Sequence, residues 1–217
     1  MKRVAALFAV ALVSLTSCGF KTKTSKSNFV EQAEKTTEHK YKFAVATCVG
    51  EVESINKKDD STDKESIDRD IDYELWNGRW RASSDNERLT TFDTEISKTC
   101  LDLLELNIRK AIKKEPINKD DEAGLTFYVN PLTFTYKIRY VDATIVLGEV
   151  SGTKIKGKVN GDETTTYEFD DDYGYLTKYK TTSDLTVTSS YGGASLNVET
   201  ISKMNIKIKY YDENKKR

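Results

Sequence analysis

The chain has one histidine, two prolines, three cysteines and no excess of either charge. In 217 residues, 34 Lys and Arg stand against 35 Asp and Glu, for a formal net charge of −1. Each shortage excludes something. Balanced charge lacks the basic excess or stripe with which nucleic-acid binders meet phosphate, so no nucleic-acid partner is expected. A single histidine, His39, removes multi-histidine metal sites and most designs that rest on an imidazole base. Few glycines and prolines exclude a linker-like or collagen-like chain. G-x-S-x-G, the P-loop, G-x-G-x-x-G and H-E-x-x-H are all missing. The reading is of a protein that is not an enzyme, with no catalytic residues, no cofactor and no metal. Its 37% apolar residues suffice for one modest core.

The N-terminus carries the most apolar stretch. Lys2 and Arg3 precede a run from Val4 to Leu15, the layout of a secretory signal. The run is shorter than the roughly 20 residues that span a bilayer. Leu15-Thr16-Ser17-Cys18 follows and resembles the bacterial lipobox. That resemblance implies a signal peptide over 1–17, diacylglyceryl and palmitate-type acylation of Cys18, and a mature chain that starts there. Two or three acyl chains give stable anchoring, where one is marginal. The implied location is the extracytoplasmic face of the cell membrane or outer membrane, and the implied first partner is the membrane. Loss of Lys2 and Arg3 takes the net charge from −1 to −3. Residues 18–28 are polar and lysine-containing and read as a flexible tether.

Residues 29–217 read as one domain. Phe29-Val30-x-x-Ala33 marks a short helix, capped by Ser27 or Asn28. From Tyr41 to Val52 the chain alternates: Tyr41, Phe43, Val45 and Val49 fall on one face, Ala44, Ala46, Cys48 and Gly50 on the other. Both faces are uncharged, which predicts a strand covered on both sides with the small face under a helix. Residues 56–70 read as a solvated loop or strand extension. Asn77-Gly78 between alternating runs predicts a two-residue hairpin pairing Trp76 with Arg79, Leu75 with Trp80 and Tyr73 with Ala82. In that hairpin Arg79 stacks on Trp76.

Thr94 to Lys114 reads as one long helix. Asp93 is its N-cap, Pro116 its stop, and Ile96, Cys100, Leu103, Leu104, Ile108, Ala111 and Ile112 form one apolar stripe. Beyond Leu125 the sequence is strand-rich. Turns are predicted at Asn130-Pro131, at Asn160-Gly161-Asp162, over 170–174 and over 191–193, and a long final strand has apolar residues at even positions through Tyr210. The expected fold is α+β: a curved, half-barrel-like antiparallel sheet with one long helix packed on one face.

Short helix, strands, inserted helix and meander, together with the turn text Tyr167 to Leu176, resemble the LolA-like half-barrel group of lipoprotein carriers and lipid-binding envelope lipoproteins. That resemblance implies an apolar ligand or lipid in the sheet concavity. The alternative reading is an interaction domain that presents a sheet surface to another envelope protein.

Cys48 and Cys100 remain once Cys18 is acylated. In an oxidising compartment they are the candidate disulfide, against two buried free thiols. Tyr73, Trp76 and Trp80 are the candidate binding aromatics, against a structural role. Asp170-Asp171-Asp172-Tyr173-Gly174 holds a fragment of a calcium loop, which turn chemistry explains more simply. The acidic clusters over 59–63 and 120–122 read as solvated loops, and His39 as a surface residue.

Overall fold

The structure is a computed structural model. It describes residues 22–84, 90–113, 124–150, 153–191 and 193–213. The expected signal peptide, Cys18, Pro116 and the acidic cluster at 120–122 lie outside the described residues.

Nine strands form a single antiparallel sheet in the order β1-β5-β6-β7-β8-β9-β2-β3-β4. They are β1 (Thr22–Thr24), β2 (Phe43–Asn56), β3 (Ser61–Trp76), β4 (Arg79–Ala82), β5 (Thr126–Val129), β6 (Leu132–Val150), β7 (Thr153–Phe169), β8 (Leu176–Tyr191) and β9 (Ala194–Tyr211). Three short helices accompany them: α1 (Lys26–Glu34), α2 (Thr91–Leu104) and α3 (Ile108–Ile112). The long helix with a half-barrel sheet is thus corrected. The described residues are 64% strand and 16% helical, and among them the sheet is open and the helices are all short.

The long helix breaks for an identifiable reason. Leu106 and Asn107 leave the helical path, and Asn107 restarts it as an N-cap, its side chain accepting the Lys110 N–H at 2.8 Å. Ile108 donates its N–H to the Gly174 carbonyl, and Asn107 bridges to Tyr175. The step buries Leu106, yet Leu103, Leu104, Ile108 and Ala111 keep i, i+4 spacing across it, so the stripe reads as unbroken. At its other end α2 starts earlier than expected. Thr90 is the cap, and Asp93 is the return partner of a capping box.

The strands are long. Nineteen residues of β6 reach roughly 63 Å at the usual strand rise. Their proximal ends gather the turns at Asn77-Gly78, Asn130-Pro131 and Asp170–Gly174. Their distal ends gather the Lys57–Asp60 turn, the end of β6 with the start of β7, and the end of β8 with the start of β9. The helices lie on the inner face of the proximal half, where Phe29, Ile71, Tyr73, Cys100, Leu104, Ile108, Phe169, Leu176 and Ile206 are at most 1% exposed. At the boundary Gly50 leaves room for Met204, whose Sδ would sit 2.6 Å from an added Cβ. Beyond it the inner face turns polar, with Thr165 bonded to Thr181 and Ser183 to Ser202. A second apolar group follows at the distal end around Val159.

Several expectations meet the structure closely, and others shift. The hairpin registers of Trp76 with Arg79, Leu75 with Trp80 and Tyr73 with Ala82 are as read. The small face of β2 is buried at Ala44, Ala46 and Cys48, but the opposite face is uncovered among the described residues, and Val49 is 46% exposed. Residues 22–28 of the expected tether lie in β1 and the start of α1, with Ser25 as the N-cap. The predicted turn at Asn160-Gly161-Asp162 is not a turn. Strand β7 runs straight through it, pairing Gly161 with Tyr140 on one side and Leu185 on the other. The shared odd parity of Val159 and Tyr167 belongs to one uninterrupted strand. The irregularity is a bulge in β6 at Val141-Asp142, where Asn160 Oδ1 accepts the Asp142 N–H.

Candidate binding surfaces

The expected aromatic platform divides between the two faces of the sheet. Tyr73 is buried, and its hydroxyl meets Ser97 Oγ at 3.1 Å. Trp80 packs against the core. Only Trp76 faces solvent, 57% exposed on the opposite face. Its cation is Arg81 at 4.5 Å from the ring, not the expected Arg79. Strand twist brings the diagonal residue over the ring, and Glu74 holds that guanidinium at 2.8 Å.

Cys48 and Cys100 do meet. Their Sγ atoms are 3.5 Å apart as free thiols, both at 0% exposure. The hydrogen bond with Cys100, then burial, pushes the Cys48 thiol far above its ordinary value. A thiol held neutral and out of reach is no nucleophile.

The carboxylates of the calcium-loop fragment are spent on backbone. Asp170 Oδ1 accepts the Asp172 and Tyr173 N–H groups, and Asp171 Oδ1 accepts that of Leu132. Asp59 likewise closes its turn on Ser61. Among the described residues no group of three or more His, Cys, Asp or Glu is placed to hold a metal ion.

His39 sits in an aromatic cluster that sequence reasoning did not find. Its ring lies 4.3 Å from Tyr41 and 5.0 Å from Tyr173, and its Nε2 meets Asp212 at 2.9 Å. Tyr175 and Tyr210 complete the group, with the Tyr175 hydroxyl donating to the His39 carbonyl. Burial raises the Tyr210 and Tyr41 phenols above their usual values, Asp170 adding to the effect at Tyr41. The groove beside His39, Arg109 and Tyr175 is about 210 Å³, under the roughly 300 Å³ at which small-molecule pockets begin. No serine or cysteine lines it. The signal for this cluster was the repeated Tyr at both ends of distant segments, which only topology brings together.

One buried ion pair ties sheet to helix. Arg69 on β3 donates to Asp93 Oδ2 at 3.0 Å, with side chains 23% and 9% exposed. Burial alone would raise the Asp93 carboxyl. Hydrogen bonds from Thr90 and Arg69 outweigh it and hold the group below its usual value. Such a depressed carboxyl stabilises the fold fully above its unfolded pKa, and that contribution fades as pH falls through the folded one. Asp93→Ala removes the return bond of the capping box and the carboxylate that Arg69 meets, so it is expected to cost about 2 kcal/mol in a urea titration at pH 7. The difference from wild type shrinks on acidification below about pH 4. An equal loss at pH 7 and pH 3 would contradict the assignment.

Another open feature is on the outer face. Strand β2 presents Phe43, Val45, Thr47 and Val49 there, the alternates of the buried Ala44, Ala46 and Cys48. On one side β3 presents Asp68, Asp70, Asp72 and Glu74; on the other β9 presents Lys203, Lys207 and Lys209. An apolar row is flanked by acid on one side and base on the other. A groove of about 610 Å³ opens at the Val49 end, lined by Glu51, Asp68, Lys180 and Lys203. Asn205 also lines it, and its Oδ1 is buried with no hydrogen-bond partner.

The fold and these surfaces define an open antiparallel-sheet protein. No family model, curated protein or solved structure matches the chain.

Proposed function

We propose that this is a lipid-anchored, non-enzymatic envelope protein whose sheet docks another protein. The observation that carries the reading is the outer face of β3, β2 and β9, uncovered among the described residues, apolar along its middle and oppositely charged on its two sides. Apolar centre with a charged rim is the anatomy of a protein interface, and opposed charge rows fix register. Mixed charge suits a protein surface better than an anionic bilayer, which the acidic row would repel. The helix–sheet interior is filled by side chains withdrawn from solvent, which favours docking over an enclosed ligand.

The anchor fits this orientation. Three residues separate Cys18 from Thr22, four Cα steps with a reach of at most about 14 Å. Thr22 pairs with Val129 at the proximal end. Acyl chains on Cys18 hold that end at the membrane and leave the long strands projecting from it.

Benzoylphenylalanine placed at Val49 in the anchored protein tests the reading. On irradiation of intact cells a discrete protein adduct is expected at Val49, and none at Glu95, exposed on α2 away from this face. Adducts to lipid alone would overturn it. One observation favours the apolar-ligand alternative: Leu147 and Leu196 are 40% and 42% exposed at the distal end, where no helix among the described residues covers them.

A further inference from the structure

We propose that the partner of the outer face is a second copy of this chain, docked about a twofold axis that runs along β2. This rests on the docking reading above and names its partner. The pairing register supplies the geometry. Thr47 lies between Asp70 on β3 and Lys207 on β9, and Val45 lies between Asp72 and Lys209. Acid and base therefore stand at equal heights on either side of one apolar strand.

Two identical sheets facing each other close most simply with twofold symmetry, each surface meeting its own copy. Two axes in the interface plane are available. An axis across the strands would set β3 on β3 and β9 on β9, opposing acid to acid and lysine to lysine. An axis along β2 preserves height and exchanges the flanks. Asp70 then faces the partner's Lys207, and Asp72 faces the partner's Lys209, while each Lys faces the partner's carboxylate in return. The β2 rows meet at the centre, Val45 and Val49 against their own copies. Like charges juxtaposed are excluded, so the charge pattern selects the second axis. Facing sheets sit about 10 Å apart and cross near 30°, so the pairs closest to the axis align best.

The dimensions are sufficient. The fourteen residues of β2, taken with the facing lengths of β3 and β9 that the axis overlays, cover a strip of roughly 14 by 45 Å at standard spacings, about 650 Å² from each copy. Specific interfaces bury about 1,200–2,000 Å² over the two partners together, so this one falls at the small end of that range. Neither charge row alone would identify a second copy; the presence of both at matched heights does.

Sedimentation equilibrium of the full mature chain in density-matched detergent tests this, with two charge variants. Asp70→Lys with Asp72→Lys makes both flanks basic; Lys207→Glu with Lys209→Glu makes both acidic. Wild type is expected at twice the chain mass, each variant alone at the chain mass, and their equimolar mixture again at twice the chain mass. The wild-type dissociation constant is expected to rise about tenfold from 0.05 to 0.5 M salt, since rim charges are screened. Should either charge variant melt below wild type, Val49→Arg replaces it, a substitution at a 46%-exposed site on the axis that is expected to leave melting unchanged and give a monomer. A monomeric wild type at tens of micromolar, or a folded variant mixture that stays monomeric, overturns the proposal. A Val49 adduct to a different protein with no self-adduct overturns it while leaving the docking reading in place. Absence of any protein adduct overturns both.

Discussion

Reduction of the protein is expected to lower its unfolding free energy by on the order of 4 kcal/mol, the chain-entropy value for the loop that a Cys48–Cys100 bond closes. The two residues are 52 positions apart, and their sulfurs already lie 3.5 Å from one another. The bond would join β2 to α2 and shield the proximal core against opening. In the oxidising surroundings that the lipobox resemblance implies, these two buried thiols are each other's partner among the described residues. Urea titrations with and without reductant measure the effect, and a 2 Da mass difference reports the bond. Equal midpoints, with both thiols alkylated after denaturation in the absence of reductant, would contradict it.

Gly161→Ala is expected to cost about 4 kcal/mol, combining backbone strain with overpacking. Gly161 has φ near +133°, and an added Cβ would stand 2.1 Å from the Asp184 carbonyl oxygen on the neighbouring strand. Backbone cannot turn aside as a flexible side chain can, so β7 and β8 must part. Gly78→Ala is the control. It too has positive φ, at +78°, but an added Cβ there meets nothing within 4 Å, so only the strain of about 1 kcal/mol remains. Thermal or urea unfolding separates the two, and similar losses would contradict the close backbone approach assigned to Gly161.

That same glycine shows where the sequence was legible and where it was not. Alternation placed the inward residues of β7 and β9 correctly, because burial on one face enforces a period of two. Asn77-Gly78 gave the hairpin to the residue, because both positions need positive φ and few residues supply it. Asn160-Gly161 carries the same letters without the same meaning. There the glycine admits a close backbone approach, and only the paired strands reveal it. The helix break at Leu106 was hidden because apolar spacing survives a short non-helical step. The three residues of β1 gave no signal, being polar and too few to alternate.

The candidate surfaces divide similarly. That the small face of β2 would lie under a helix, with Cys48 near Cys100, could be read from one strand and one stripe. The outer charge rows could not. Each is a run of alternate acids or lysines that reads as a wet face, and their juxtaposition depends on β9 pairing beside β2 across most of the chain. The cluster of His39, Tyr41, Tyr173 and Tyr210 has the same origin.

Intact-mass spectrometry of the detergent-extracted protein, denaturing and then native, tests the anchored docking domain most directly. The prediction is a polypeptide that begins at Cys18, carries covalent acyl mass there, and holds no further lipid under native conditions. A chain that retains Met1 without modification, or a lipid bound one-to-one and released on denaturation, would contradict it.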